Sequence, residues 1–167
     1  MGQIARIASG APWEPVAAYS RAVRAGDFVA VSGTTAIDER GLMVGGGQMY
    51  VQARQALLNI QRALERLGLS MRDVVRTRMF VTDISRFADA AKAHREFFAD
   101  SPPATSMIEV KRFVHPDMLI EIEADAYAGA SAPAPSGKAA PRAAKASIKA
   151  KSKAAKKKAA PKSKQRK

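Results

Sequence analysis

The chain has 167 residues, 28 of them lysine or arginine and 15 acidic, but its net charge of +13 is confined to one end. Residues 1–130 carry 15 basic and 15 acidic side chains, whereas residues 131–167 carry 13 basic side chains and no acid, so the sequence describes a neutral domain, residues 1–129, followed by a cationic tail, residues 130–167. The lack of cysteine excludes a disulfide framework, a thiolate nucleophile and a zinc ribbon, and His94 and His115 alone are a poor metal inventory, so neither metal nor cofactor is expected. No run approaches about 18 apolar residues, which argues against a membrane span and for a cytoplasmic location.

About 130 residues suffice for one core and leave no room for a second. Residues 6–9 read as a short edge strand, and residues 10–15, with Pro12 and Pro15, as a loop. Residues 20–24 and 28–32 flank Ala25, Gly26 and Asp27 in the pattern of a hairpin. Residues 38–47 form a second turn region ending in three glycines; it lacks the Gly-Lys-Ser/Thr ending of a phosphate loop and reads as a connection. From Gln48 to Leu67 the apolar residues Val51, Leu57, Leu58, Ile60, Leu64 and Leu67 recur at helical spacing, and Gly68 stops the helix. Residues 73–82 alternate as a strand, with Val74, Arg76, Arg78 and Phe80 on one face and Val75, Thr77, Met79 and Val81 on the other. A second amphipathic helix from about residue 85 to 99 uses Phe87, Ala90, Ala91, His94, Phe97 and Phe98, and ends before Pro102 and Pro103. Residues 102–110 and 118–127 read as a final hairpin. Two helices backing one face of a mixed sheet make a two-layer α+β domain. The other face, carrying Ile, Val, Met and Phe, then needs a partner, which predicts a homo-oligomer.

The run Pro-Pro-Ala-Thr-Ser-Met-Ile-Glu-Val at 102–110, followed by Met-Leu-Ile-Glu-Ile-Glu-Ala-Asp-Ala-Tyr at 118–127, resembles the signature segment of the YjgF/RidA family. These are small trimeric proteins that include the reactive-intermediate imine deaminases. The resemblance runs from about Ile7 to Tyr127 and includes Ala-Tyr-Ser-Arg-Ala-Val at 18–23, Val-Ser-Gly at 31–33, Asp-Val-Val at 73–75 and Val-Thr-Asp at 81–83. It implies a chorismate-mutase-like fold, a homotrimer with a central β-barrel, and a small-molecule cleft between neighbouring subunits. Tyr19 matches a tyrosine lining that cleft, Gly33 a glycine whose backbone approaches the ligand, and Glu121 the glutamate near the attacking water.

Three positions depart from the deaminase pattern. Thr105 stands where the deaminases carry the arginine that clamps the substrate carboxylate, Met107 replaces a cleft cysteine, and Ala91 replaces an asparagine on the second helix. A guanidinium fork matches a carboxylate bidentately, and one neutral hydroxyl does not. Because hydrogen bonds to charged groups contribute about 1.5–3 kcal/mol, the exchange costs roughly tenfold to a hundredfold in recognition. The resemblance therefore implies binding or hydrolysis of a small imine, enamine or related carbonyl compound, with 2-iminopropionate a poor substrate. Arg21 and Arg78 are candidate replacement cations, or else interfacial ion-pair partners; His94 is a candidate acid-base group, or else a half-buried helix residue. Glu121 is the candidate catalytic residue. Glu123, on the same strand face, is expected in an ion-pair lattice with arginines such as Arg76 and Arg78.

The tail is built from Ala, Lys, Ser and Pro, with no aromatic residue and Ile148 as its one large apolar side chain. Such a segment cannot bury enough surface to order itself and is expected to be disordered. Its repeated Lys-Ala pattern resembles linker-histone tails and offers phosphate contacts without base reading. Lys151, Lys153, Lys156, Lys157, Lys158, Lys162 and Lys164 are the candidate contacts. The alternative function is thus a noncatalytic trimer that presents cationic tails to nucleic acid or another polyanion.

Overall fold

In the computed structural model, which describes residues 4–129, six strands form one mixed sheet. They are β1 (Ile4–Ile7), β2 (Ala22–Ala25), β3 (Phe28–Thr34), β4 (Val74–Val81), β5 (Ala104–Glu109) and β6 (Ile120–Tyr127). Three α-helices accompany them among the described residues, α1 (Trp13–Ala17), α2 (Met49–Glu65) and α3 (Phe87–Phe98). The order across the sheet is β1-β2-β3-β6-β4-β5, with β4 and β5 parallel and every other pair antiparallel. The cationic tail and its seven candidate lysines lie outside the described residues.

The first hairpin forms as expected. Gly26 supplies the left-handed turn residue, φ +63, and Ala25 pairs with Phe28. Helix α2 also ends as the sequence foretells: Gly68 is left-handed, its amide reaches the Glu65 carbonyl, and the Leu69 amide reaches that of Leu64, both at 3.0 Å. These two bonds satisfy carbonyls that a helix end leaves open. Residues 10–15 depart from the loop reading. Pro12 and Pro15 begin a short helix, which is compatible with proline because first-turn amides have no intrahelical partner.

The last two strands do not form a hairpin. β6 lies between β3 and β4, while β5 sits at the sheet edge beyond β4. The parallel β4–β5 pair needs a crossover, which α3 provides. Residues 110–119 are correspondingly longer than a tight hairpin turn and carry the chain past β4. Alternation along β4 also breaks at one point. The register with β6 shifts between Val74 and Arg76, so Val74 joins Thr77, Met79 and Val81 among the buried residues and Val75 is exposed. Such an irregularity switches which face a residue presents.

The core lies between the sheet and helices α2 and α3. Val29, Val31, Ile120, Ile122, Met79 and Val81 meet Leu57, Ile60, Leu64 and Phe98, all almost fully buried. Each such side chain contributes about 1.5–3 kcal/mol by leaving water. Among the expected α3 contacts, Ala90 and Phe98 are buried, but Phe87 is exposed. The opposite sheet face remains uncovered in the single chain. One row across it runs Ile4, Ala25, Phe28, Tyr127 through paired positions, and three of these, Ile4, Phe28 and Tyr127, are large exposed apolar side chains.

Candidate functional site

β3 and β6 build the centre of the site through a bulge. Val31 pairs with Ala124, but the next matched pair is Thr34 with Ile122. Ser32 and Gly33 thus oppose one residue of β6. The extra residue returns Thr34 to the buried face and turns Gly33 toward Glu121. A Cβ placed on Gly33 would stand 2.3 Å from Glu121 Oε1 and 2.7 Å from its Cδ. Gly33 thus leaves free the space that the Glu121 carboxyl occupies, and a side chain there would displace the end of Glu121.

Arg21 reaches the same residue from the other side. Its Nη1 donates to the Gly33 carbonyl and to Thr34 Oγ1, both at 2.8 Å, and its Nε to Ser9 Oγ at 3.4 Å. The Tyr19 ring centroid is 6.0 Å from the guanidinium carbon. Tyr19, Arg21, Gly33 and Glu121 line one cleft of about 870 Å³, together with Trp13 and Val16 of α1, Val114, His115 and Met118 of the β5–β6 connection, and Asn59, Arg62 and Arg66 of α2 and its end.

Burial pushes the Glu121 carboxyl above the usual carboxylate range, and the charge of Glu123 adds to the effect, while Arg21 opposes both. Its cross-strand neighbour on β4 is Phe80, which adds no polar partner. A carboxyl moved toward neutrality can both donate and accept a proton, the property that acid-base work requires.

Glu14 fixes the rim. Its carboxylate accepts from the Ser9 amide at 2.9 Å, the Ser9 hydroxyl at 2.7 Å and the Gly10 amide at 3.1 Å. Burial would raise its pKa, but these bonds, with some help from Arg21, outweigh burial and hold it below the ordinary value. At the end of α1, Ala18 takes a left-handed conformation, φ +54, which costs an ordinary residue roughly 1 kcal/mol and turns the chain so that Tyr19 and Arg21 enter the cleft.

Gln52 fixes the opposite rim from a fully buried position in α2. Its amide nitrogen donates to the Gly46 carbonyl at 2.5 Å and the Asp117 carbonyl at 2.7 Å, and its oxygen accepts from the Leu119 amide at 2.9 Å. Leu119, which immediately precedes β6 and lies two residues before Glu121, is thereby tied to the helix layer. Neither the Glu14 clasp nor the Gln52 anchor was legible in the sequence, since each depends on loops brought together by the fold.

The other sequence candidates lie elsewhere. Thr105 on β5 pairs with Thr77 on β4; their hydroxyls are hydrogen bonded, and Thr77 Oγ1 also meets His94 Nε2 at 2.9 Å. The His94 ring packs on Phe98 at 4.5 Å, and burial lowers its pKa. These three side chains satisfy one another and carry no permanent cation. Arg78, on the uncovered sheet face, binds Glu123 at 3.2 Å and Asp125 at 3.0 Å. Its guanidinium is committed to two carboxylates, as the lattice reading expects, which removes the reason to invoke it as a ligand clamp within one chain. Among the described residues no group of three or more His, Asp or Glu is placed to hold a metal ion, and no helix is long and apolar enough to cross a membrane.

Comparison with known proteins places this geometry in a family. The profile described as Endoribonuclease L-PSP matches residues 9–128. A RutC family protein of Pyrococcus horikoshii is 38% identical over 114 residues, 68% of this chain and 90% of that protein. Among solved structures, a Mycobacterium tuberculosis member of the YjgF/YER057c/UK114 family is 42% identical with a TM-score of 0.69, covering 75% of this chain and 99% of that one. The YjgF gene product of E. coli is 33% identical with a TM-score of 0.65, over 74% and 98% of the two chains.

Proposed function

The chain belongs to the Endoribonuclease L-PSP family, the YjgF/RidA group, and from that premise we propose that its cleft binds and hydrolyses a small imine, enamine or related carbonyl compound. The observation that carries this reading is the Glu121 carboxyl, seated against Gly33 beside Arg21 and Tyr19 and shifted toward neutrality by its surroundings.

The chemistry asks little more of the protein. Water adds to the carbon of the C=N bond, a proton passes to nitrogen, and collapse of the adduct releases ammonia and leaves a carbonyl. Glu121 as carboxylate takes the proton from water, and as carboxylic acid it returns one to the departing nitrogen. Tyr19 and the Gly33 backbone shape the site. The working form is a homotrimer in which the uncovered sheet faces, with Ile4, Phe28 and Tyr127, meet around a central barrel, and Thr105 and His94 of a neighbouring subunit complete the cleft.

Steady-state deamination tests the reading. Glu121→Gln abolishes turnover, and wild type hydrolyses 2-iminopropionate poorly. Thr105→Arg improves that activity, since Thr77 retains His94 as a partner when the Thr105 hydroxyl is lost. Rapid wild-type turnover of 2-iminopropionate would contradict the weak-substrate claim, and full activity of Glu121→Gln would remove the catalytic assignment.

A second reading is favoured by charge. The 13 basic and no acidic residues of 131–167 suit sequence-independent contact with nucleic acid or another polyanion, the domain acting as a trimeric support. Retention of activity-bearing features in the cleft favours the first reading, and the threonine at 105 favours the second.

A further inference from the structure

Cations on the cleft wall differ in what they already hold. Arg62 faces Glu39 at 3.3 Å; Arg66 donates to the Ala8 carbonyl at 2.6 Å and, like Arg21, has no ion pair among the described residues, but no contact ties it to Gly33. Arg21 is held by neutral acceptors alone, the Gly33 carbonyl and the hydroxyls of Thr34 and Ser9. No carboxylate oxygen lies within ion-pairing distance of it among the described residues, and its Nη2 has no hydrogen-bond partner among them. Glu14 and Glu121 are close enough to feel the charge of Arg21, but neither contacts it, so the guanidinium is braced in place with its ordering already met and no carboxylate seated on it, which prepares it for an anionic ligand.

The same cleft has an apolar side. Trp13 is 50% exposed, Val16 80% and Val114 77%, and all three line the cavity that Arg21 enters. We infer that Arg21 is the carboxylate-binding residue of this site, and that the ligand is a 2-oxo or 2-imino acid with a branched or aromatic side chain lying against Trp13 and Val16. Arg21 donates to the Gly33 carbonyl, and the Glu121 carboxyl lies where a side chain on Gly33 would stand. A carboxylate on the guanidinium therefore sets the adjacent carbon of the ligand toward Glu121. The clamp then comes from β2 and not from β5, which accounts for a cation-free Thr77, Thr105 and His94 set. This inference rests on the proposed identity of the cleft as the ligand site, but it concerns binding and is independent of turnover.

Isothermal titration of full-length protein with 4-methyl-2-oxopentanoate and with pyruvate tests it. Wild type binds the branched acid at least about tenfold more tightly than pyruvate, in keeping with about 0.8 kcal/mol for each buried CH₂. Arg21→Gln weakens both acids at least about tenfold, the loss expected for a charge-assisted hydrogen bond, whereas Trp13→Ala weakens only the branched one. Should Arg21→Gln fold poorly, wild type supplies a second measurement: 4-methyl-2-oxopentanoate protects Arg21 from phenylglyoxal, read by peptide mass spectrometry. Equal affinity for the two acids, unaltered binding by a folded Arg21→Gln, or an unprotected Arg21 overturns the inference. A wild type that binds neither acid yet hydrolyses an uncharged imine overturns it while leaving the hydrolytic reading intact. Arginine-dependent binding without any turnover supports the clamp and sinks hydrolysis.

Discussion

Gly33 and Glu121 share one volume, and that fact gives the sharpest single-residue experiments. In Gly33→Ala the new Cβ meets the far end of the Glu121 side chain at 2.3 Å, a group that can swing away without moving the backbone. The variant should fold, with a stability loss near 1 kcal/mol or less, while turnover falls by about a hundredfold because the carboxyl is displaced from its working position. Unchanged turnover would show that the contact does not set the site. Glu121 also links stability to pH. Its folded pKa is raised from the ordinary 4.5, so its favourable contribution is complete below that value and is lost as pH rises through the folded pKa. Glu121→Gln should therefore melt higher than wild type near neutral pH, and the difference should vanish below about pH 4. Tyr19, Gly33 and Glu121 are legible in the sequence as candidates because short motifs around them resemble those of the family, and Arg21 because its strand is expected to border the cleft. That Gly33 makes room for a carboxyl is not legible there, because the contact arises from a bulge between strands about 90 residues apart, and bulges leave no reliable mark on alternation.

Single elements were read more securely than their neighbours in space. Helix α2, the turn at Gly26 and the stop at Gly68 follow from periodicity and glycine geometry, both local properties. The placement of β5 and β6 has the opposite origin: each reads as a strand on local grounds, but the insertion of β4 between them is a long-range pairing that alternation does not encode. It explains why Thr105, adjacent in sequence to the segment bearing Glu121, is absent from the cleft of its own chain. The placement of the β5–β6 connection depends on Gln52, whose three bonds are all to backbone groups. Gln52→Leu fills similar volume but leaves those groups without their buried partner. A loss of about 3 kcal/mol is expected in urea unfolding, at 1–3 kcal/mol for each buried polar group left unsatisfied. Turnover should fall with it, since Glu121 follows the anchored Leu119 by two residues. A stability change below about 0.5 kcal/mol would indicate that residues 111–118 hold their position without the anchor.

At the scale of the whole molecule, the net charge lies in residues 131–167, whereas the described elements lie in residues 4–129. The neutral part contains the sheet, the cleft and the uncovered apolar row, so association is expected to need nothing from the tail. A chain ending at Gly129 should remain folded and trimeric at micromolar concentration by light scattering. A monomer in both forms would remove the barrel, whereas loss of the trimer only on truncation would assign the tail a part in assembly. Nucleic-acid binding should divide the other way. If residues 131–167 contact phosphates alone, the full chain binds unrelated duplexes with similar affinity, and the logarithm of that affinity falls linearly with the logarithm of salt concentration. In a trimer, three copies of residues 131–167, each with 13 basic side chains, raise avidity where their attachment points permit simultaneous contact. Truncation after Gly129 should abolish this binding and leave imine hydrolysis and 2-oxo acid affinity unchanged, because among the described residues the cleft lining ends at Glu121. Equal, weak binding of DNA and RNA by both forms at low salt would end the polyanion reading. Tight binding to one sequence that persists at high salt would instead reject the phosphate-only mechanism, since a segment without aromatic side chains has no stacking surface with which to read bases.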